Sequence, residues 1–224
     1  MTISEAIKMR HSVRSYKKTP IDAETIQTLQ KEIDTCNNES GLHIQLITNE
    51  EKAFSGMMAH YGKFSGVQNY IALIGKKSPS LDEQIGYYGE RIALYAQMLG
   101  LNTCWVAMTF SKGATKNNCK IEKGEKIVCV LSLGYGETQG VAHKSKPMEQ
   151  VCRAQNPMPE WFLSGMEAAL LAPTAMNQQK FLLTLNDNIV KAESTGGFYS
   201  KVDLGIVKYH FEIGAGKENF QWDS

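Results

Sequence analysis

Apolar positions along this chain recur at helical spacing in some stretches and run unbroken in others. Thr2-Ile3-Ser4-Glu5 has the form of a capping box and predicts a short helix through Ile3, Ile7 and Met9. Pro20 and Asp22 open a second helix with Ile26, Leu29 and Ile33 on one stripe, which residues 37–41 are expected to break. The strongest periodicity lies in 85–99, where Ile85, Tyr88, Ile92, Tyr95 (or Ala96) and Leu99 share a face and Gly100 supplies a left-handed cap. Residues 159–171 predict an amphipathic helix. Asp203 is expected to cap a last one through Leu204, Val207 and Phe211, closed near Gly214 and Gly216.

Between these lie strand-like runs at 42–48, 70–75, 103–108 and 127–133, the last a continuous β-branched and leucine run that predicts a buried strand. Residues 181–185 and 189–192 form a hairpin pattern around Asn186-Asp187-Asn188, followed by a loop at 194–197. The stretch 57–64 fits either periodicity. Helices interleaved with short strands predict an α+β fold, a sheet covered by helices.

Composition adds limits to that picture. The 224 residues are 42% hydrophobic and 21% charged, which suits a globular protein with a large core. A net charge of +1 gives no global attraction for nucleic acid or an anionic membrane, so any phosphate must be held by a local cluster. The start of the chain does not read as a secretory signal, and no run approaches the roughly 20 apolar residues of a membrane span. Cys36, Cys104, Cys119, Cys129 and Cys152 are scattered, with no Cys-x-x-Cys and no histidine pair at metal-ligand spacing. They read as reduced thiols of a cytoplasmic protein that binds no metal.

Three segments carry candidate chemistry. Arg10-His11-Ser12-Val13-Arg14, with Lys17 and Lys18 behind it, turns Arg10, Ser12 and Arg14 to one side if extended, and Arg10 and Arg14 still share a face if helical. Two guanidiniums around a hydroxyl suit phosphate oxygens, although a solvated basic turn explains the same residues. His143-Lys144-Ser145-Lys146-Pro147 comes after the 127–133 strand and gains meaning only beside the arginines. The stretch from Pro173 through Thr174, Ala175, Met176 and Asn177 to Gln179 offers mixed donors and acceptors for a heterocycle edge; its bland reading is a turn. Gly214-Ala215-Gly216-Lys217 fails as a phosphate loop, since Phe211 stands at its first position and Glu218 comes after the lysine. Cys104 has no evident histidine partner and reads as core.

Together these segments resemble the nitroreductase family of FMN flavoproteins. Arg10-x-Ser12-x-Arg14 is similar to the family's opening phosphate motif, and "YYGERIALYAQMLGLNTCWVAM" to its central helix and the strand beside the flavin. "LSLGYGE" with "HKSKPMEQV" resembles its last strand and basic tail, and "LLAPTAMNQQKF" its Ala-Pro-Ser-x-x-Asn-x-Gln-Pro-Trp segment. Lys180 and Phe181 depart from the Pro-Trp of that segment, and Thr174 and Ala175 from its small hydroxyl residues. The segment also comes late. "MPEWFLSGMEAALLAPTAMNQQKFLLTL" and then "VDLGIVKYHFEIGAGKENFQW" resemble a second, shortened copy, as in the family's small single-chain branch.

The resemblance implies a three-layer nitroreductase-like α+β fold with an internal duplication: residues 1–150 as one repeat, 151–224 as the second, and one FMN in the cleft between them. Arg10, His11, Ser12, Arg14, Lys144 and Lys146 would serve the phosphate. Pro173, Thr174, Ala175 and Asn177 would line the ring, Ala107 and Met108 would sit beside its reactive nitrogen, and Lys63 at its pyrimidine edge. The implied activity is an FMN-dependent NAD(P)H oxidoreductase working by ping-pong transfer to a small nitroaromatic or quinone-like acceptor, with no catalytic side chain required. The alternatives are a flavin-cleaving, oxygen-using relative and a non-enzymatic flavin-binding module. The chain is expected to function as a monomer, with a loose oligomer allowed.

Overall fold

The computed structural model describes residues 1–155 and 157–223. In chain order its elements begin α1 (Ile3–Met9), α2 (Ala23–Ser40), β1 (Gln45–Ile47), α3 (Met57–Tyr61), β2 (Asn69–Lys76), α4 (Leu81–Met98) and β3 (Asn102–Val106). They continue with α5 (Lys112–Asn118), β4 (Glu125–Gly134), β5 (Cys152–Arg153), α6 (Glu160–Ala169), β6 (Phe181–Asn186), β7 (Ile189–Ser194), α7 (Ser200–Ala215) and β8 (Gln221–Trp222).

The chain divides into two compact units, a larger one of Met9–Leu81 with Ile92–Val141 and a smaller one of Met1–Lys8, Asp82–Arg91 and Ala142–Ser224. This partition differs from a cut at residue 150. The N-terminal residues and the first half of α4 group with the C-terminal third, because long-range packing rather than chain order decides the grouping.

In the larger unit the sheet runs β1-β2-β4-β3, with every neighbouring pair antiparallel. β2 is buried from Asn69 to Gly75 and β4 from Val128 to Gly134, as their unbroken apolar runs require. On one face Tyr70, Ala72, Ile74, Cys104, Val106 and Val130 meet Phe54, Phe64 and Phe110. Phe54 contacts Phe64 edge-on at 5.1 Å between ring centres, a favoured aromatic geometry. α2 is capped by Asp22, whose Oδ1 accepts from the Thr25 N–H at 2.8 Å, and closes on Gly41 in the left-handed region at φ 71°. The expected break at residue 37 does not occur. Asn37 stays helical and exchanges two hydrogen bonds with the backbone of Ile44, at 2.8 and 2.9 Å, tying the helix to the approach of β1. Periodicity does not predict helix α5, which has a Ser111 cap but little apolar stripe.

In the smaller unit the sheet order is β5-β6-β7-β8. β6 and β7 form the expected hairpin, with Asp187 at φ 54° in its turn. α6 lays Phe162, Met166 and Ala169 against α7, whose Val207 and Phe211 are fully buried. The Asp82–Arg91 stretch approaches α7 so closely that a Cβ at Gly86 or Gly205 would strike the carbonyls of Val202 and Glu83. The capping box at α1 is formed in both directions, Thr2 N–H to Glu5 Oε2 at 2.7 Å and Glu5 N–H to Thr2 Oγ1 at 3.2 Å. Asp203 is not a cap. It lies inside the first turn of α7, is 4% exposed, and points its carboxylate elsewhere.

Candidate functional site

The larger unit gathers the arginine motif. After Arg10 the chain runs extended through three backbone partners: Val13 N–H donates to Thr103 O at 3.1 Å, Tyr16 N–H to Ser65 O at 3.0 Å, and Lys17 N–H to Tyr135 O at 2.8 Å. Val13 and Tyr16 point into the core, and the Tyr16 hydroxyl lies 2.7 Å from both Val13 O and Ser132 Oγ. With Val13 and Tyr16 turned inward, Arg10 is buried, Ser12 half-buried and Arg14 exposed, its guanidinium 6.0 Å above the Phe64 ring.

The motif converges on Cys104. Burial pushes that thiol up, while the guanidinium of Arg14, a hydrogen bond from Ser12 and the guanidinium of Arg10 pull it down. Burial likewise raises the Tyr16 hydroxyl, against the pull of its Ser132 partner and the same two arginines. Two cations and a hydroxyl thus share one small region. His11 lies half-buried against Gly140. Lys63 is exposed at φ 59°, its N–H donating to His60 O at 2.9 Å, and directly precedes the Phe64 that carries Arg14. Gly62, just before Lys63, abuts the side chain of Thr109, which follows half-buried Ala107 and exposed Met108 in the chain.

The smaller unit gathers the rest. The stretch from Thr174 to Gln179 holds Met176, Asn177 and Gln179 at φ 51°, 53° and 45°, a left-handed cluster that non-glycine residues adopt only when their surroundings impose it. The basic tail imposes it on one side. Asn177 Nδ2 and Gln179 Nε2 both donate to Lys144 O, at 3.0 and 2.9 Å, and Gln179 N–H donates to Thr174 Oγ1 at 3.0 Å. Lys146 is engaged twice, through its backbone N–H to Gln179 Oε1 at 2.7 Å and its ammonium to Gln179 O at 3.0 Å. Asp203 holds the other side, its Oδ1 accepting from Ala175 N–H at 2.9 Å and its Oδ2 from Gln178 Nε2 at 2.7 Å. Burial raises the Asp203 carboxyl to about 6 against the opposing pull of these two donors. Pro173 stands half-buried at the head of the segment.

Each unit therefore assembles its own share of the nominated residues: Arg10, His11, Ser12, Arg14, Lys63, Ala107 and Met108 in one, and Lys144, Lys146, Pro173, Thr174, Ala175 and Asn177 in the other. Neither of two surface hollows, of about 840 and 540 Å³, is lined by any of them. Sequence reasoning placed Gln179 in the candidate loop and read Asp203 as a cap, but missed what each of them holds and the position of Cys104 beside Ser12. For Gln179 the signal was the polar loop between an apolar helix and an apolar strand. The other two depend on contacts made far along the chain.

Residues 2–215 match the model of a family described as "Putative TM nitroreductase". The chain belongs to this nitroreductase family. Two solved structures described by the words "putative nitroreductase" share its α+β fold. One, from Thermotoga maritima, is 21% identical over 96% of this chain and 83% of its own, with a TM-score of 0.67. The other, from Desulfovibrio desulfuricans and in complex with FMN, is 14% identical over 71% of this chain and 99% of its own, with a TM-score of 0.55. A nitroreductase family protein from Streptococcus pneumoniae is 13% identical over 69% of this chain and 100% of its own, at a TM-score of 0.55. No curated protein matches the chain. Among the described residues no helix is long and apolar enough to cross a membrane.

Proposed function

We propose that this nitroreductase family member binds one FMN per chain and serves as an NAD(P)H oxidoreductase for a small nitroaromatic or quinone-like acceptor, taking donor and acceptor in turn. The observation that carries the reading is the run of Arg10, Ser12 and Arg14 along the extended stretch bridged to Thr103, with all three acting on the neighbouring Cys104 thiol. A terminal phosphate needs several directed donors and a positive field, and a buried guanidinium beside a hydroxyl and a second guanidinium supplies both. The FMN complex of the Desulfovibrio relative lends the same fold to that cofactor. When bound, FMN supplies the two-electron hydride chemistry, and the protein contributes binding, orientation and electrostatics.

In this reading Arg10, Ser12 and Arg14 neutralise the phosphate, with His11 inside the motif. Lys63, exposed and locally positive, stands ready to balance an anionic reduced ring, with Ala107 and Met108 beside its reactive nitrogen. Pro173, Thr174, Ala175 and Asn177 are the residues that the family resemblance nominates for the ring. Lys146 acts by holding their loop, because its ammonium is already bonded to Gln179 O. None of the five cysteines forms a disulfide, and in this reading the protein works in the cytoplasm.

The deciding experiment is the spectrum of the purified protein, then equilibrium titration with FMN and FAD and anaerobic titration with NADH and NADPH. FMN uptake in preference to FAD, then bleaching on addition of a nicotinamide donor, is the expected result. A colourless protein that takes up no flavin overturns the reading. Uptake without bleaching leaves a flavin-binding module.

A further inference from the structure

The loop from Thr174 to Gln179 contains three non-glycine residues in the left-handed region, and strain of that kind persists only under restraint from outside the loop. One restraint is the basic tail. The other comes from Asp203, near the start of α7 and outside both the loop and the tail. It is 4% exposed, yet neither of its oxygens faces another carboxylate or a cation. Each takes one donor from the loop: the backbone N–H of Ala175 and the side-chain amide of Gln178. α6, β6, β7 and the Asp82–Arg91 half of α4 also pack against α7, and no charged group on any of them, Asp82, Glu83, Glu90 and Arg91 included, shifts the Asp203 carboxyl.

We propose that Asp203 is the positioning residue of the 173–179 loop, its carboxylate accepting both loop donors at once and so holding the loop in the conformation that receives the ligand. The inference rests on the flavin reading above as to which ligand that is, but the clasp itself does not. Only the ionised form serves both donors. A protonated carboxyl keeps one accepting oxygen and turns its other oxygen into a donor facing a donor. Gln178 cannot answer by turning its amide over, because the same Nε2 also donates to Phe198 O at 2.7 Å and that carbonyl would lose its partner. Burial already brings the carboxyl to about 6. The clasp is therefore closed at neutral pH and opens as pH falls through that value, while the folded units persist.

Hydrogen exchange read residue by residue, corrected for intrinsic exchange, tests this on the whole chain without added flavin between pH 5 and 8. In the parent protein, protection at Ala175 is expected to fall about tenfold on the acid side, the size of one lost hydrogen bond, while β2 and β4 keep theirs. Asp203→Asn should give low protection at Ala175 that does not change with pH. Gln178→Ala removes a donor that favours the carboxylate, so its midpoint should move to higher pH. An Asp203→Asn profile superimposable on the parent overturns the proposal, as does a Gln178→Ala midpoint that stays put or moves down. FMN titration of the same three proteins separates the two readings. If exchange behaves as stated and none binds FMN, the clasp stands and the flavin reading falls. If the parent binds FMN and Asp203→Asn binds it equally across the pH range, the loop is not positioned for that ligand and the proposal falls alone.

Discussion

Lys146 meets Gln179 twice, its backbone N–H donating to Gln179 Oε1 at 2.7 Å and its ammonium to Gln179 O at 3.0 Å. Gln179 is 3% exposed, and its Nε2 also serves Lys144 O and Asn177 Oδ1. Removing that side chain leaves the Lys146 N–H without its acceptor, worth about 1–3 kcal/mol, while Lys144 O keeps the Asn177 amide as a donor. Gln179→Ala is therefore expected to cost about 1–3 kcal/mol in urea unfolding. Lys146→Met, which keeps the backbone bond, should cost about 1 kcal/mol or less. Equal costs for the two substitutions would mean that the ammonium, not the amide, holds the tail to the loop.

On the arginine side the prediction concerns affinity. Arg10 is buried and Arg14 lies over Phe64, whereas Lys17 is exposed and its backbone alone is engaged. Hydrogen bonds to charged groups contribute roughly 1.5–3 kcal/mol and exposed charges far less. Arg10→Ala and Arg14→Ala are each expected to weaken FMN binding about 10- to 100-fold, and Lys17→Ala less than about threefold. Fluorescence titration with FMN reads all three. Similar losses throughout would point to a diffuse basic patch instead of a phosphate site.

What the sequence made legible were features decided locally. The capping box at Thr2 and Glu5, the cap at Asp22, the turn at Asp187 and the termination of α4 at Gly100, φ 82°, each depend on residues within four positions of one another. The same locality misled at Asn37, a poor helix interior residue by propensity. Its place in α2 is decided by the bonds that its side chain makes to Ile44, seven positions on. Asp203 had the look of a cap for the same reason. Its partners lie 25 and 28 positions away, and no periodicity carries such a contact. For the site, the residue types and their clustering within each segment were readable. That Lys146 would spend its ammonium on a carbonyl was not.

Burial of Asp203 also fixes the sign of a stability effect. Its carboxyl sits at about 6 in the folded chain against an ordinary value of 3.8, so the folded state holds that proton more tightly than the unfolded state. The resulting stabilisation is fully present below the ordinary value and is lost as pH rises through about 6. A displacement of that size corresponds to roughly 3 kcal/mol. Asp203→Asn does not titrate, so the stability of the parent minus that of the variant should fall by about this amount between pH 4 and pH 7 and change little above it. Urea unfolding of both proteins across that range is the measurement. A difference that grows with pH would mean the carboxylate is favoured by folding and its burial outweighed.

The last prediction is one FMN per chain, on a chain that works as a monomer. A family homodimer, as the resemblance implies it, builds two equivalent sites, each needing an arginine motif and a proline-led loop. Arg10-x-Ser12-x-Arg14 occurs once. At the matching start of the C-terminal stretch the sequence reads Cys152-Arg153-Ala154-Gln155, with no serine or second arginine at that spacing. There Cys152 and Arg153 form β5, paired in parallel with β6, and Arg153 Nη1 is bonded to the carbonyls of Glu149 and Cys152 at 3.2 and 3.0 Å, which leaves the guanidinium committed to its own turn. The proline-led loop is likewise single. Its counterpart would be residues 35–39, but these lie in the last turns of α2, with Cys36 fully buried and Asn37 holding Ile44, so no loop exists there to receive a ring. With one motif and one loop, a second flavin has no set of donors. Flavin quantitation on protein whose mass is tracked by light scattering should therefore return one FMN per chain at every concentration, with no loss of flavin on dilution. Two flavins per chain, or flavin released in step with dissociation of a dimer, would show that the site is completed by another copy of the chain.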